Sequence, residues 1–377
     1  MIPVGSSGRR ALDPNAFGIH TEIPAFDLQA AHALYNAIVK PVEPTIDGAR
    51  HLLVIAHGTL AQVPFALLST AAIEVRPDDQ LAFAEYKAVP WLIHRLATTQ
   101  LPSLASLVTL RGQVAGNPSR RSFAGFGDPI FSKSQSLIGQ LDSGIAVRGI
   151  RVAMRDYSRA MKLDSSQLAQ LPRLPDTADE IRDIARSLNA DPERDVFLGR
   201  NANEKEVKTR DLSNRKVIAF ATHGLIPGEL NGLTQPALAL SAPDVAGVDG
   251  DGLLTMEEVL GLKLDADWVV LSACNTAAGD GAGADAITGL GRAFFYAGTR
   301  AILASNWPVE TVSARLITTG VFARQAVDAT LSRAEALRQS ILDVLSNRVA
   351  TDNAGKPAYS YAHPLFWAPF TLIGDGS

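Results

Sequence analysis

The sequence predicts an α/β protein: a three-layer α/β/α sandwich around a mostly parallel central sheet. Three observations lead there. Short apolar runs such as 217–221, Trp268–Ala273 and Ala301–Ser305 lack the polar alternation of a half-exposed strand. Stretches of helical spacing separate these runs, which implies parallel strands joined by crossovers. Reactive side chains stand just past two of the runs, where sheets of this kind hold their ligands.

The elements follow in chain order. Residues 1–27 are rich in Gly, Ser, Pro and Asn and read as an arm or linker. Helical spacing begins at Leu28 and runs to Val39, and 52–56 is a buried-strand pattern ending in His57-Gly58. The polar stretch 114–121 predicts a boundary between a lobe spanning 28–115 and a second spanning 120–377. In the second lobe, 122–126 is a strand ending in Gly127-Asp128-Pro129. Thr177 and Glu180 have capping-box spacing before a helix, as do Asn203 and Glu206. Strands at 196–198, 217–221, 268–273 and 301–305 follow, then a helix over 284–297 with Gly298 as its stop. Ser332 and Glu335 open a helix to about Asn347, Glu257-Glu258 suits a helix's first turn, and 370–373 is the last strand.

Composition narrows the function. The 377 residues are 46% hydrophobic, enough for one large domain or two. A net charge of −4, with Lys and Arg scattered apart from Arg120-Arg121, argues against nucleic-acid binding. The single cysteine excludes an internal disulfide and a cysteine zinc cluster, and suits a reducing, cytoplasmic setting. The N-terminus lacks the pattern of a secretory signal, and no apolar run of about 18 residues predicts a membrane span.

Two strand ends carry chemistry. One run closes in Thr222-His223-Gly224 and the other in Ala273-Cys274-Asn275-Thr276, with His223 lying 51 positions before Cys274. A caspase-type arrangement has that order and about that spacing. A thiol at neutral pH is mostly protonated, so it needs a base to become the attacking thiolate. An imidazole can take that proton and return it to the leaving amine. The positive end of the helix after Cys274 favours thiolate. The N–H groups of Gly224 and Cys274 suit an oxyanion hole, and glycine leaves its backbone open to approach. Either residue alone fits a plain core or surface role better than a catalytic one; the pairing gives the catalytic reading its weight.

These residues, with Leu271-Ser272-Ala273 and Ser305-Asn306-Trp307-Pro308-Val309, resemble the CHAT peptidases, relatives of caspases and separases. The resemblance covers roughly 34–375. It includes 52–58 and 63–68 as an opening strand and turn, Gly127-Asp128-Pro129, 251–255, and His363-Pro364-Leu365-Phe366-Trp367. It implies a caspase-like sandwich in which 28–115 is a companion lobe and 120–377 the peptidase lobe. It also implies cysteine endopeptidase activity through a thioester, with Cys274 as nucleophile, His223 as base and Gly224 as oxyanion donor. No metal or organic cofactor is implied. The expected partners are a protein or peptide substrate and a regulator or tetratricopeptide-repeat region outside this chain, with no nucleic acid or membrane. Such repeats need helix pairs of about 34 residues each, and only about 30 residues precede the matching region.

Acidic residues near strand ends suggest a preference for a basic residue before the cut. Asp128 and Glu310 are the candidates, with Trp307 as a subsite wall. Their plainer roles are a turn for Asp128, a helix cap for Glu310 and core packing for Trp307. His57, in the run 53–58, echoes His223, but no cysteine follows it at similar spacing, so it reads as structural. Asp280 and Asp285 suit a solvated, glycine-rich loop. The competing functions are an inactive caspase-like scaffold that binds partner proteins and a nucleotide site at Gly279–Gly283. That loop matches neither phosphate-loop pattern. The G-x-S-x-G of a serine hydrolase is missing.

Overall fold

The run Trp268–Ala273 forms a central strand of an eight-stranded sheet. The structure is a computed structural model that describes residues 4–10, 23–112, 116–137, 165–273, 284–307, 309–352 and 354–377. In chain order the sheet strands are β1 (His51–Val54), β2 (Ala97–Gln100), β3 (Arg121–Gly127), β4 (Val196–Leu198), β5 (Arg215–Thr222), β6 (Trp268–Ala273), β7 (Ala301–Ser305) and β8 (Phe370–Gly374). Their order across the sheet is β1-β2-β8-β7-β6-β5-β3-β4.

Strands β3 to β7 run parallel to one another. Strand β8 is antiparallel to β7, and β2 and β1 run parallel to β8. The sheet is therefore mostly parallel, as expected, but it consists of two blocks pointing in opposite directions. The carboxyl ends of β3, β5, β6 and β7 share one edge, and those of β1, β2 and β8 lie on the other. His57, three positions past β1 and exposed, belongs to the opposite edge from His223. The two similar His-Gly turns are thus kept apart by strand direction.

Alternate residues of β5 explain the apolar run. Val217, Ala219 and Ala221 join one core cluster, and Ile218 and Phe220 join another on the other face. Both faces are covered, so neither set is polar. Helices α1 (Leu28–Ile38), α2 (Asp176–Ser187), α4 (Thr311–Val327) and α5 (Arg333–Asn347) bury their apolar faces in the first cluster. Helix α3 (Ala284–Ala297) covers the second through Leu290 and Phe294.

The two stretches read as lobes contribute to one sheet, since β8, from the chain's end, stands between β2 and β7. Within the stretch read as an arm, Ile23 and Phe26 are buried, and the Phe26 N–H donates to the Tyr86 hydroxyl at 2.9 Å.

The caps follow the expected spacing at Asn203 and Ser332, whose side chains accept from the N–H of Glu206 and Glu335. Thr255 and Glu258 form a full capping box. The box expected at Thr177 and Glu180 is not formed. The helix starts after Pro175, and Thr177 lies inside its first turn. The Thr177 hydroxyl donates to the Leu174 carbonyl and accepts from the Asp128 N–H at 2.6 Å, while buried Glu180 accepts from Thr318 at 2.9 Å. Distant partners have displaced the local pairing.

Gly298 ends α3 at φ +115°, and a Cβ there would overlap the Leu264 carbonyl. Gly298→Ala combines backbone strain with a clash against backbone that cannot swing away. We expect a loss of about 2–4 kcal/mol of stability. A urea melt with an unchanged midpoint would contradict this account of the turn.

Candidate active site

Four parallel strands end at one edge, and the predicted residues come next in the chain after them. Moving along it, Trp307 and Glu310 follow β7, Cys274 follows β6, His223 follows β5 and Asp128 follows β3. The β5–β6 register pairs Thr222 with Ala273, the positions immediately before His223 and Cys274. Cys274, Asp280 and the Gly279–Gly283 loop lie outside the described residues, as does the side chain of Asp285.

His223 is 2% exposed. Its Nε2 lies 2.8 Å from the Pro172 carbonyl oxygen. A carbonyl can only accept, so Nε2 carries the proton and Nδ1 is the basic nitrogen of the neutral ring. The Phe131 ring, 5.6 Å away between centroids, packs at a tilt against the imidazole. A polar contact and an apolar contact thus both help to hold the ring.

The backbone at His223 is fixed by a change of partner. Strand β5 ends at Thr222, and Gly224–Leu225 passes into a small antiparallel sheet with Ala237–Ala239 and Leu253–Thr255. The His223 carbonyl accepts from the Ala239 N–H at 2.9 Å, and the Thr222 hydroxyl donates to the Ala239 carbonyl at 2.5 Å. Gly224 is buried beside this turn. A third apolar cluster, including Phe131, Leu171, Leu225 and Leu253, packs the surrounding loops together.

Asp128 adopts φ +50° and is buried. Arg173 grips it with both arms, Nε to Oδ1 at 2.8 Å and Nη2 to Oδ2 at 2.7 Å. Burial nonetheless pushes the Asp128 carboxyl above its ordinary range, against the pull of Arg173. Hydrogen bonding to Asp128 raises Arg173 in turn. Arg173 directly follows Pro172, so this ion pair anchors the segment whose carbonyl holds His223.

Glu310 is 3% exposed and caps α4, accepting from the N–H groups of Val312 at 3.0 Å and Ser313 at 2.7 Å. The phenols of Tyr359 and Tyr361 are pushed up, by burial first and then by the charge of Glu310. Trp307 is half-buried, with Nε1 3.3 Å from the Leu365 carbonyl oxygen. Asn306 serves the fold, donating through Nδ2 to Pro369 and Thr371.

Sequence reasoning passed over Pro172, Arg173 and Phe131. Pro172 acts through a backbone carbonyl, which no residue type advertises. The double-proline segment Pro172-Arg173-Leu174-Pro175, stiff and just before a helix, was the available signal. Among the described residues no group of three or more His, Cys, Asp or Glu side chains could hold a metal ion, and no helix is long and apolar enough to cross a membrane.

The family model described as CHAT domain matches residues 28–375. Tetratricopeptide repeat protein 28 of Homo sapiens is 24% identical over 385 residues, and that of Mus musculus is 23% identical over 384. Each match covers 91% of this chain but 13% of the relative, so the chain spans a small part of their length. Among solved structures, the Arg specific cysteine proteinase gingipain R is 11% identical, with 97% of this chain and 72% of that one covered at a TM-score of 0.45. Separase in the Saccharomyces cerevisiae separase–securin complex is 13% identical, with 94% of this chain and 18% of that one covered at 0.43.

Proposed function

This chain belongs to the CHAT domain family, and we propose that it is a cysteine endopeptidase with Cys274 as nucleophile and His223 as base. The observation that carries the proposal is the register pairing Thr222 with Ala273, which sets the positions before the two residues side by side. His223 Nδ1 takes the thiol proton, and the Cys274 sulfur attacks the acyl carbon. The Gly224 N–H steadies the developing oxyanion. His223 then protonates the leaving amine, and water hydrolyses the thioester. The proton on Nε2, held by the Pro172 carbonyl, keeps Nδ1 as the acceptor.

The proposed preference is for a basic residue before the cut, read by Asp128. Its carboxylate already accepts the two-armed Arg173, the geometry an arginine substrate would copy in exchange. Glu310 could join such a pocket only by releasing its two backbone donors, and Trp307 would wall it. The proposed partners are a peptide substrate and a separate regulatory segment.

Digestion of a peptide library by wild type, Cys274→Ala and Asp128→Asn tests both parts. We expect cleavage after Arg or Lys by wild type, none by Cys274→Ala, and a loosened preference in Asp128→Asn. Undiminished cleavage by Cys274→Ala would end the peptidase proposal. A second reading, a partner-binding scaffold of the same fold, is favoured by the near-complete burial of His223. It predicts no cleavage by wild type and a thiol slow to alkylate.

A further inference from the structure

The opposite edge of the sheet carries a second arrangement, independent of the peptidase reading. Arg121 opens β3, Arg215 opens β5, and Asp195 immediately precedes β4. Arg215 is 6% exposed. Its Nη2 lies 3.3 Å from Asp195 Oδ1, and Arg121 Nη2 lies 3.2 Å from the same oxygen. One buried carboxylate therefore serves two guanidinium groups. The Nε and Nη1 groups of Arg215 are buried and have no hydrogen-bond partner among the described residues, and Asp195 Oδ1, though ion-paired, accepts no hydrogen bond of good geometry there either. A buried donor without an acceptor, on a group that cannot shed its charge, is a costly feature unless something binds there.

A cleft of about 410 Å³ opens at this point, lined by Arg121, Arg210 and Arg215 together with Glu206, Asp211 and Asn214. Glu206 is engaged by Arg210, Nε to Oε2 at 2.5 Å, and that guanidinium also lies 4.4 Å over the Phe197 ring. Asp211 is exposed and accepts from the Ser213 hydroxyl at 2.5 Å, so water screens its charge. What remains under-compensated is the Arg121–Arg215 pair. Burial, and then the neighbouring charges of Arg121 and Arg210, hold Arg215 below its usual range, while Asp195 and Asp211 act the other way.

We propose that this cleft binds the phosphate group of a small ligand, with Arg215 and Arg121 as its charged donors. The planar forks of two arginines suit a tetrahedral dianion that accepts from several N–H groups at once. The ligand binds at the amino end of the strand that leads to His223, one strand length from the candidate active site.

The test is thermal unfolding of the full chain with inorganic phosphate, against sodium chloride at equal ionic strength. Phosphate well above its Kd is expected to raise Tm by about 3 °C. Arg121→Gln, at a partly exposed position that leaves the core intact, should abolish that rise, as should Arg215→Gln if it folds. Asp211→Asn removes a repelling charge and should tighten phosphate binding about two- to fivefold, an effect that a merely structural arginine cluster would not produce. A nucleoside monophosphate arm separates sources: a larger shift than with phosphate indicates a phosphate carried on an organic ligand, and an equal shift indicates free phosphate. Equal shifts from phosphate and chloride, or a phosphate shift retained in Arg121→Gln, would overturn the proposal.

Discussion

His223→Ala is expected to lower kcat for peptide cleavage by about 10²–10⁴-fold in a protein that stays folded, the usual worth of a positioned base. Cys274→Ala should leave no turnover. Nucleophile and base act in one step, so the double variant should be no slower than Cys274→Ala alone. The register of β5 and β6 underlies this expectation, together with the bond from Nε2 to the Pro172 carbonyl. A base also leaves a signature in pH. The acidic limb of kcat/KM should vanish from the residual activity of His223→Ala and persist in His57→Ala, whose imidazole belongs to the other edge of the sheet. Single-turnover acylation by an activated ester, followed from pH 5 to 8, measures this. A pH limb that survives in His223→Ala would assign the base elsewhere.

The second large effect concerns His363, which the sequence offers only as a landmark. Its Nδ1 accepts from the Leu365 N–H at 3.1 Å, and its Nε2 donates to the Pro24 carbonyl at 3.2 Å. The rings of Phe26, Phe83, Tyr86 and Phe366 surround it. Burial, which outweighs the bond to Pro24, lowers its pKa to about 3. An unfolded chain binds the proton near pH 6.5, and the folded one does not until about 3. Protons therefore favour unfolding, and the stability present above pH 6.5 is lost as pH falls through that window. The full loss is about 4–5 kcal/mol, with about 2–3 kcal/mol gone by pH 4.5. His363→Asn can keep the contact to the Leu365 N–H, loses the longer reach to the Pro24 carbonyl, and cannot titrate. It should be less stable than wild type at pH 7.5, through lost ring packing, and should show a shallower decline toward pH 4.5. Urea melts across that range decide this; parallel slopes for the two proteins would remove His363 as the acid-sensitive group.

Much of the architecture was legible because both faces of the sheet are covered. The runs 268–273 and 301–305 match β6 and β7 residue for residue, since an apolar strand between two helical layers has no polar positions to blur its ends. Ser332 and Gly298 marked helix ends through chemistry confined to a few neighbouring residues. Thr177 shows where such reading fails. Its spacing to Glu180 suits a capping box, but Asp128 and Thr318, far away in sequence, claim the two side chains. Likewise Glu310 reads equally as a pocket acid or a cap, and only its bonds to Val312 and Ser313 choose the cap in this structure.

By itself the sequence determined the α/β class, the apolar strands that precede His223 and Cys274 in the chain, and the family to which the chain belongs. These rest on local apolar pattern and on motifs that stay contiguous along the chain. Strand direction was decided only in three dimensions. The reversal at β8 sends His57 to one edge and His223 to the other, although their local sequences look alike. Tertiary structure also chose the partners of Asp128 and His223, because Arg173 and the Pro172 carbonyl act through positions that folding alone brings near. A buried ion pair and a backbone acceptor depend on the geometry of closure, which no pattern of residue types along the chain encodes.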